Sequence, residues 1–146
     1  MNIEIVYYQS PLGVLEIRSN GNAISDVLFL NSWKGTKVNE AEINFVPPKS
    51  PVIKNCIKQL DEYFSGKRTA FTINMAQVGT EFQQTVWAAL CNIPYAKTIS
   101  YMELSKRIGN VKAIRAVGTA NGNNSICIIV PCHRVIGSNG DGIRAA

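Results

Sequence analysis

The stretch Thr98-Ile99-Ser100-Tyr101-Met102-Glu103-Leu104-Ser105-Lys106-Arg107-Ile108-Gly109-Asn110-Val111-Lys112-Ala113-Ile114-Arg115-Ala116-Val117-Gly118-Thr119-Ala120-Asn121-Gly122 reads as two helices and the turn between them. Ser100 and Glu103 have capping-box spacing. Leu104 and Ile108 continue a short helix that Gly109 stops. Asn110 is placed to cap a second helix, from Val111 to about Asn121, with Gly122 past its end. Two short helices around a tight glycine turn predict a helix-turn-helix, with Lys112 and Arg115 on the second helix.

Working outward, Thr80 and Gln83 form another capping box. Phe82, Val86, Leu90 and Ile93 make a helical stripe that ends before Pro94. On the other side, Ile126 to Val130 is a continuous apolar run, read as a buried strand. It leads into Pro131-Cys132-His133-Arg134-Val135. Adjacent side chains of a straight strand face opposite ways, so a working Cys132–His133 pair needs a bend or a bridging water. Pro131 suits a bend. A thiol attacks as the thiolate. An imidazole can accept its proton, and Arg134 or a helix N-terminus can lower its pKa.

The earlier part of the chain has a different pattern. Residues 3–8 and 12–18 flank Ser10-Pro11-Leu12-Gly13 as a hairpin. Ser19-Asn20-Gly21-Asn22 is a second turn, followed by a strand from Ala23 to Leu30. Residues 31–49 read as a loop. Ser50-Pro51 opens a helix with Ile53, Ile57, Leu60 and Phe64 on one face and Gly66 at its end. Thr69 to Ile73 is a candidate strand, and Met75 to Gly79 a linker. The boundaries predicted are 1–75 for an N-terminal α/β domain and 80–146 for a mostly helical one.

Apolar residues make up 46% of the chain and charged residues 17%, as in a globular protein. No apolar run is long enough to span a bilayer, and Met1 to Tyr8 lacks the basic start of a signal peptide, so a cytoplasmic place is expected, or a nuclear one in a eukaryote. The net charge of +5 is uneven. Residues 1–81 carry eight basic and eight acidic side chains, while residues 82–146 carry seven basic and two acidic. A basic second half suggests a polyanionic partner. The four cysteines (Cys56, Cys91, Cys127, Cys132) and single histidine do not have zinc-site spacing. No metal or cofactor is expected. Cys56, Cys91 and Cys127 read as buried small hydrophobes.

Pro131-Cys132-His133-Arg134-Val135-Ile136 closely resembles the active-site run of the O6-alkylguanine-DNA alkyltransferases, also called methylated-DNA–protein-cysteine methyltransferases. Ile93-Pro94-Tyr95-Ala96-Lys97-Thr98-Ile99-Ser100-Tyr101 is similar to the segment entering that family's helix-turn-helix. Ala113-Ile114-Arg115-Ala116-Val117-Gly118 resembles its recognition helix, and Asn121-Gly122-Asn123-Asn124 the loop that leaves it. The resemblance spans about residues 80–140 at the level of motifs. It implies an α+β protein with a small ribonuclease-H-like N-terminal domain and a helix-turn-helix domain.

The resemblance also implies roles. Cys132 would accept the alkyl group irreversibly from O6-alkylguanine, and in some members from O4-alkylthymine, in a single turnover. His133 would be its water-linked base, and Tyr101 would hydrogen-bond the flipped guanine and aid its departure. The backbone carbonyls of Cys132 and Val135 would read the guanine amino group. Arg115 would fill the gap left by the flipped base. Ser100, Lys112, Ala116 and Gly118 would meet DNA, the small residues allowing close minor-groove approach and Lys112 and Lys106 holding phosphates. Asn124 would brace the recognition helix against the active-site turn, beside Arg134. A monomer acting on double-stranded DNA, without a membrane or cofactor, is expected.

Two departures from the family pattern bear on activity. Ala96 stands where a turn glycine is common. After Gly140 the chain continues only with Asp141-Gly142-Ile143-Arg144-Ala145-Ala146. The family's glycine-rich segment and last helix, with a glutamate that orients the histidine, are expected to be cut short. Reduced transfer and lower stability would follow. A second reading therefore stays open: an impaired or non-catalytic alkyltransferase-like protein that binds alkylated DNA lesions. An unrelated thiol hydrolase is a third.

Overall fold

The computed structural model describes residues 3–137. The chain divides into two compact units, Met1–Val78 and Gly79–Ala146.

In the first unit, β1 (Glu4–Ser10), β2 (Gly13–Ser19) and β3 (Ile24–Phe29) form an antiparallel meander with β2 in the centre. The first turn is closed by Ser10, whose Oγ accepts from the Leu12 amide and donates to the Gly13 carbonyl. At the second turn, Asn20 Oδ1 accepts from the amides of Asn22 and Ala23. The loop after β3 holds only a short 3₁₀ turn at Glu40–Glu42. Helix α1 (Pro51–Phe64) starts as expected, with Ser50 capping the Ile53 amide and Pro51 in the first turn. Its buried residues are Ile53, Cys56, Gln59 and Leu60, so the inward stripe is rotated from the expected one; Ile57 and Phe64 are only half-buried.

Gln59 explains a correction. Residues 69–73 are not a strand: the Thr72 amide is held by Gln59 Oε1 at 2.9 Å, and Thr72 Oγ1 accepts from Gln59 Nε2 at 3.0 Å. A side chain has taken the place of a ladder partner. Pairing comes slightly later, as one parallel bridge between Ile24 and Met75, with Ile24 bonding Asn74 and Ala76.

The second unit opens on α2 (Glu81–Leu90), with the Thr80–Gln83 capping box complete in both directions. Val86, Trp87 and Leu90 are buried, and the Trp87 indole donates to the Ala120 carbonyl at 2.9 Å. Strand β4 (Ile99–Ser100) leads into α3 (Tyr101–Arg107), which Ser100 caps through the Glu103 amide. Helix α4 is Ile114–Gly122. The expected entry to it is corrected: Val111–Ala113 is a 3₁₀ turn, Asn110 makes no side-chain cap, and Gly122 lies within the last helical turn. Helices α2 and α3 both pack on α4, around Leu104, Val117, Ala120 and Ile126. The helix-turn-helix is therefore α3 and α4.

Residues 126–130 also differ from expectation. They are buried, but they turn and are not a strand. The Val130 amide bonds the Ile126 carbonyl, and the Ile129 amide bonds the Cys127 carbonyl at 2.8 Å across Ile128, whose φ is +74°. A β-branched residue in that region is strained. Asn124 supplies the remaining partners: its amide nitrogen donates to the carbonyls of Ile126 and Val130, and its Oδ1 accepts from the Ile126 amide. An apolar run specifies burial; it does not specify which groups satisfy the backbone. Cys91 is a further correction, since it is exposed, whereas Cys56 and Cys127 are buried. Among the described residues, no helix is long and apolar enough to cross a membrane. The expected shortening after Gly140 lies outside the described residues.

Candidate active site

Pro131 turns the chain into a 3₁₀ turn, Cys132–Arg134, followed by β5 (Val135–Ile136). This is the bend that an adjacent Cys–His pair requires. β5 pairs in parallel with β4, placing Val135 opposite Ile99 and Ile136 opposite Ser100. The Cys132 turn is thereby fixed to the residues that begin α3. Arg134 secures the other side. It is buried, donates to the Ile93 carbonyl at 2.8 Å and lies over the Tyr95 ring, 5.8 Å from its centroid.

Cys132 is only 4% exposed, a setting that normally suppresses ionisation. Its pKa is nevertheless lowered to about 7, first by a hydrogen bond from the Cys127 thiol, then by Asn124 and nearby backbone groups, against the opposing effect of burial. The thiolate is held by a neighbouring thiol and an amide. Arg134, expected to help, is engaged with Ile93 and Tyr95. The His133 ring is at the surface, and its pKa is pushed down by partial desolvation and by the Arg134 charge, so it is neutral at neutral pH.

Tyr101 is 5% exposed. Burial raises its phenol pKa, so it carries its proton at neutral pH. Asn121, on the inner side of α4, joins it to the Cys132 turn: Asn121 Nδ2 donates to Tyr101 Oη at 3.2 Å and to the Cys132 carbonyl at 3.3 Å. That carbonyl also accepts from the Val135 amide.

Beside Tyr101 is a cleft of about 690 Å³, lined by Ser100, Tyr101, Met102, Arg115, Gly118 and Gly137 among others. A methyl group on Gly118 would lie 3.8 Å from the Tyr101 ring, in ordinary van der Waals contact. Arg115 and Ala116 are exposed on α4, Lys112 on the 3₁₀ turn before it, and Lys106 on α3. The structure therefore gathers Cys132, Tyr101, Asn124 and Val135 around one turn, and Ser100, Arg115 and Gly118 around the adjoining cleft. Lys112 and Ala116 remain on the open face. Asn121 and Cys127 were not anticipated. Asn121 had one usable signal: an amide four residues after Val117, on a stripe otherwise made of Val117 and Ala120. Cys127 had none, because one apolar-run residue looks like the next.

Comparison with known proteins places both units in one family. Residues 5–77 match the family model for the ribonuclease-like domain of 6-O-methylguanine DNA methyltransferase, and residues 81–144 match the model for its DNA binding domain. A methylated-DNA–protein-cysteine methyltransferase of Methanosarcina barkeri is 43% identical over 92% of this chain and 85% of its own. The constitutive enzyme of that name from Bacillus subtilis is 42% identical over 90% of this chain and 79% of its own. Among solved structures, Mycobacterium tuberculosis OGT in complex with DNA is 39% identical, with a TM-score of 0.78 over 94% of this chain and 80% of that one. The R37K variant of that protein superposes with a TM-score of 0.83 at 37% identity, covering 98% of this chain and 84% of that one. The chain belongs to the methylated-DNA–protein-cysteine methyltransferase family.

Proposed function

We propose that this protein repairs DNA by transferring a methyl or other alkyl group from guanine O6 to Cys132, once per molecule. The observation that carries this reading is a buried thiol with a pKa near 7, hydrogen-bonded by Cys127 and set in a turn beside Tyr101. The Cys132 thiolate attacks the alkyl carbon. A carbon–sulfur bond forms, the carbon–oxygen bond breaks, and its electron pair stays with guanine. Tyr101, protonated at neutral pH, donates to a guanine ring nitrogen and so stabilises the departing base. The thioether has no good leaving group, so the protein does not turn over.

The base must leave the duplex to reach a buried thiol. Arg115 fills the vacated place, while Ala116 and Gly118 let α4 approach the minor groove closely. Ser100 and Lys112 hold the backbone. The Val135 carbonyl reads the guanine amino group. Asn124 acts on the loop before Cys132, and Arg134 anchors the turn. His133 is a neutral proton acceptor at the surface end of a water path. The protein acts as a monomer in the compartment that holds the DNA.

The test is intact mass after incubation with duplex DNA carrying O6-methylguanine. One methyl group on the native protein, none on Cys132→Ala, and guanine restored in the DNA are expected. Retained lesion binding with no adduct on the native protein would instead support a non-catalytic lesion binder.

A further inference from the structure

Asn121 has no place in the scheme above, yet it touches both of its reacting partners. It is 1% exposed. Its two amide protons are both used, one on Tyr101 Oη and one on the Cys132 carbonyl. Its Oδ1 is buried with no hydrogen-bond partner among the described residues. A side chain present only for packing has no reason to carry an unmet acceptor, since leucine has the same shape and lacks that cost.

The direction of the hydrogen bond has a consequence. Because Tyr101 Oη accepts from Asn121, its own proton cannot point at the amide nitrogen. The hydroxyl rotor is turned away from α4 and is available to another acceptor. Donation by Asn121 also favours the phenolate, opposing the effect of burial and making the phenol a better acid. Through its second proton, the same amide holds the Cys132 turn in register with the phenol.

We infer that Asn121 is a positioning residue for alkyl transfer, aiming the Tyr101 proton at the departing guanine. This rests on the reading of Tyr101 as the donor to guanine. As the carbon–oxygen bond breaks, the electron pair moves onto guanine. A ring nitrogen takes the Tyr101 proton, and solvent returns a proton to the phenolate.

The experiment is a two-residue cycle on the full chain, with single-turnover transfer from a duplex carrying O6-methylguanine. Asn121→Leu should lower the maximal transfer rate about tenfold, the effect of one hydrogen bond made in the transition state, and change the half-saturating DNA concentration little. Alkylation of Cys132 by iodoacetamide should proceed as in the native protein, because that reaction needs no guanine. In a Tyr101→Phe background the Asn121→Leu substitution should have no further effect on transfer. Asn121→Asp keeps the side-chain volume but offers an acceptor that would capture the Tyr101 proton, so it should slow transfer as much and be equally silent beside Phe. Native rates in both Asn121 variants, or losses that multiply with Tyr101→Phe, would overturn the inference while leaving Tyr101 as the donor. A native rate in Tyr101→Phe itself would overturn the reading of Tyr101, and this inference with it.

Discussion

Cys56 in the first unit and Cys132 in the second are both buried, and the two thiols have opposite chemistry. Cys56, on α1 of the first unit, is pushed up to about 12 by burial with nothing to oppose it. Cys132, in the 3₁₀ turn of the second unit, is lowered to about 7 although it too is buried. Apolar surroundings raise a thiol pKa, and only hydrogen bonds to the anion or nearby positive charge reverse that. The difference lies in Cys127, Asn124 and the backbone of a tight turn. A buried cysteine on a regular helix has no such donors, because the helix has already used its amides.

The sharpest way to break this contrast is to remove each thiol. Cys132→Ala should abolish transfer, while Cys56→Ala should leave its rate unchanged; both are read by single-turnover assay with a methylated duplex. The next largest effect concerns what lowers Cys132. With the thiolate as the proposed nucleophile, the native transfer rate should fall as pH drops through about 7 and level off above it. Cys127→Val should move that midpoint up toward the ordinary 9.0, slowing transfer about tenfold at neutral pH, and Cys127→Ser should restore it. Linkage has the same sign: a lowered folded-state pKa contributes stability above the unfolded value, lost as pH falls through about 7. An unshifted midpoint in Cys127→Val would refute the thiol-to-thiol bond as the cause.

Smaller effects test the turn itself. Asn124→Ala leaves the Ile126 amide without its partner and takes one of two donors from each of the Ile126 and Val130 carbonyls, and should destabilise the fold by about 2 kcal/mol in urea unfolding. Ala96 has a φ of +62°, the left-handed region that favours glycine. Ala96→Gly should stabilise by about 1 kcal/mol, seen as a slightly higher Tm, with transfer unaltered.

The elements with local signals were legible in the sequence. Caps, turn residues and helical stripes located β1 to β3, α1, α2 and the helix-turn-helix, because each depends on neighbours a few residues away. Misreadings came where a side chain replaced a backbone partner. Gln59 takes the Thr72 amide, so residues 69–73 form no strand, and Asn124 does the same within residues 126–130. Neither substitution leaves a periodic trace.

The candidate site divides along the same line. Cys132, His133, Tyr101 and Arg115 could be named from motifs, since a resemblance in sequence carries residue identity. How Cys132 ionises could not be, because it depends on a thiol five positions earlier in a folded-back loop and on the Asn124 amide just past α4. The sequence by itself determined which reactive side chains the chain carries and that its basic excess lies in the second half. Tertiary structure alone decided that Cys127 and Asn124, not Arg134, stabilise the thiolate, and that Asn121 links it to Tyr101. Those effects come from hydrogen bonds inside a dry core, and burial together with geometry, not residue type, sets their strength.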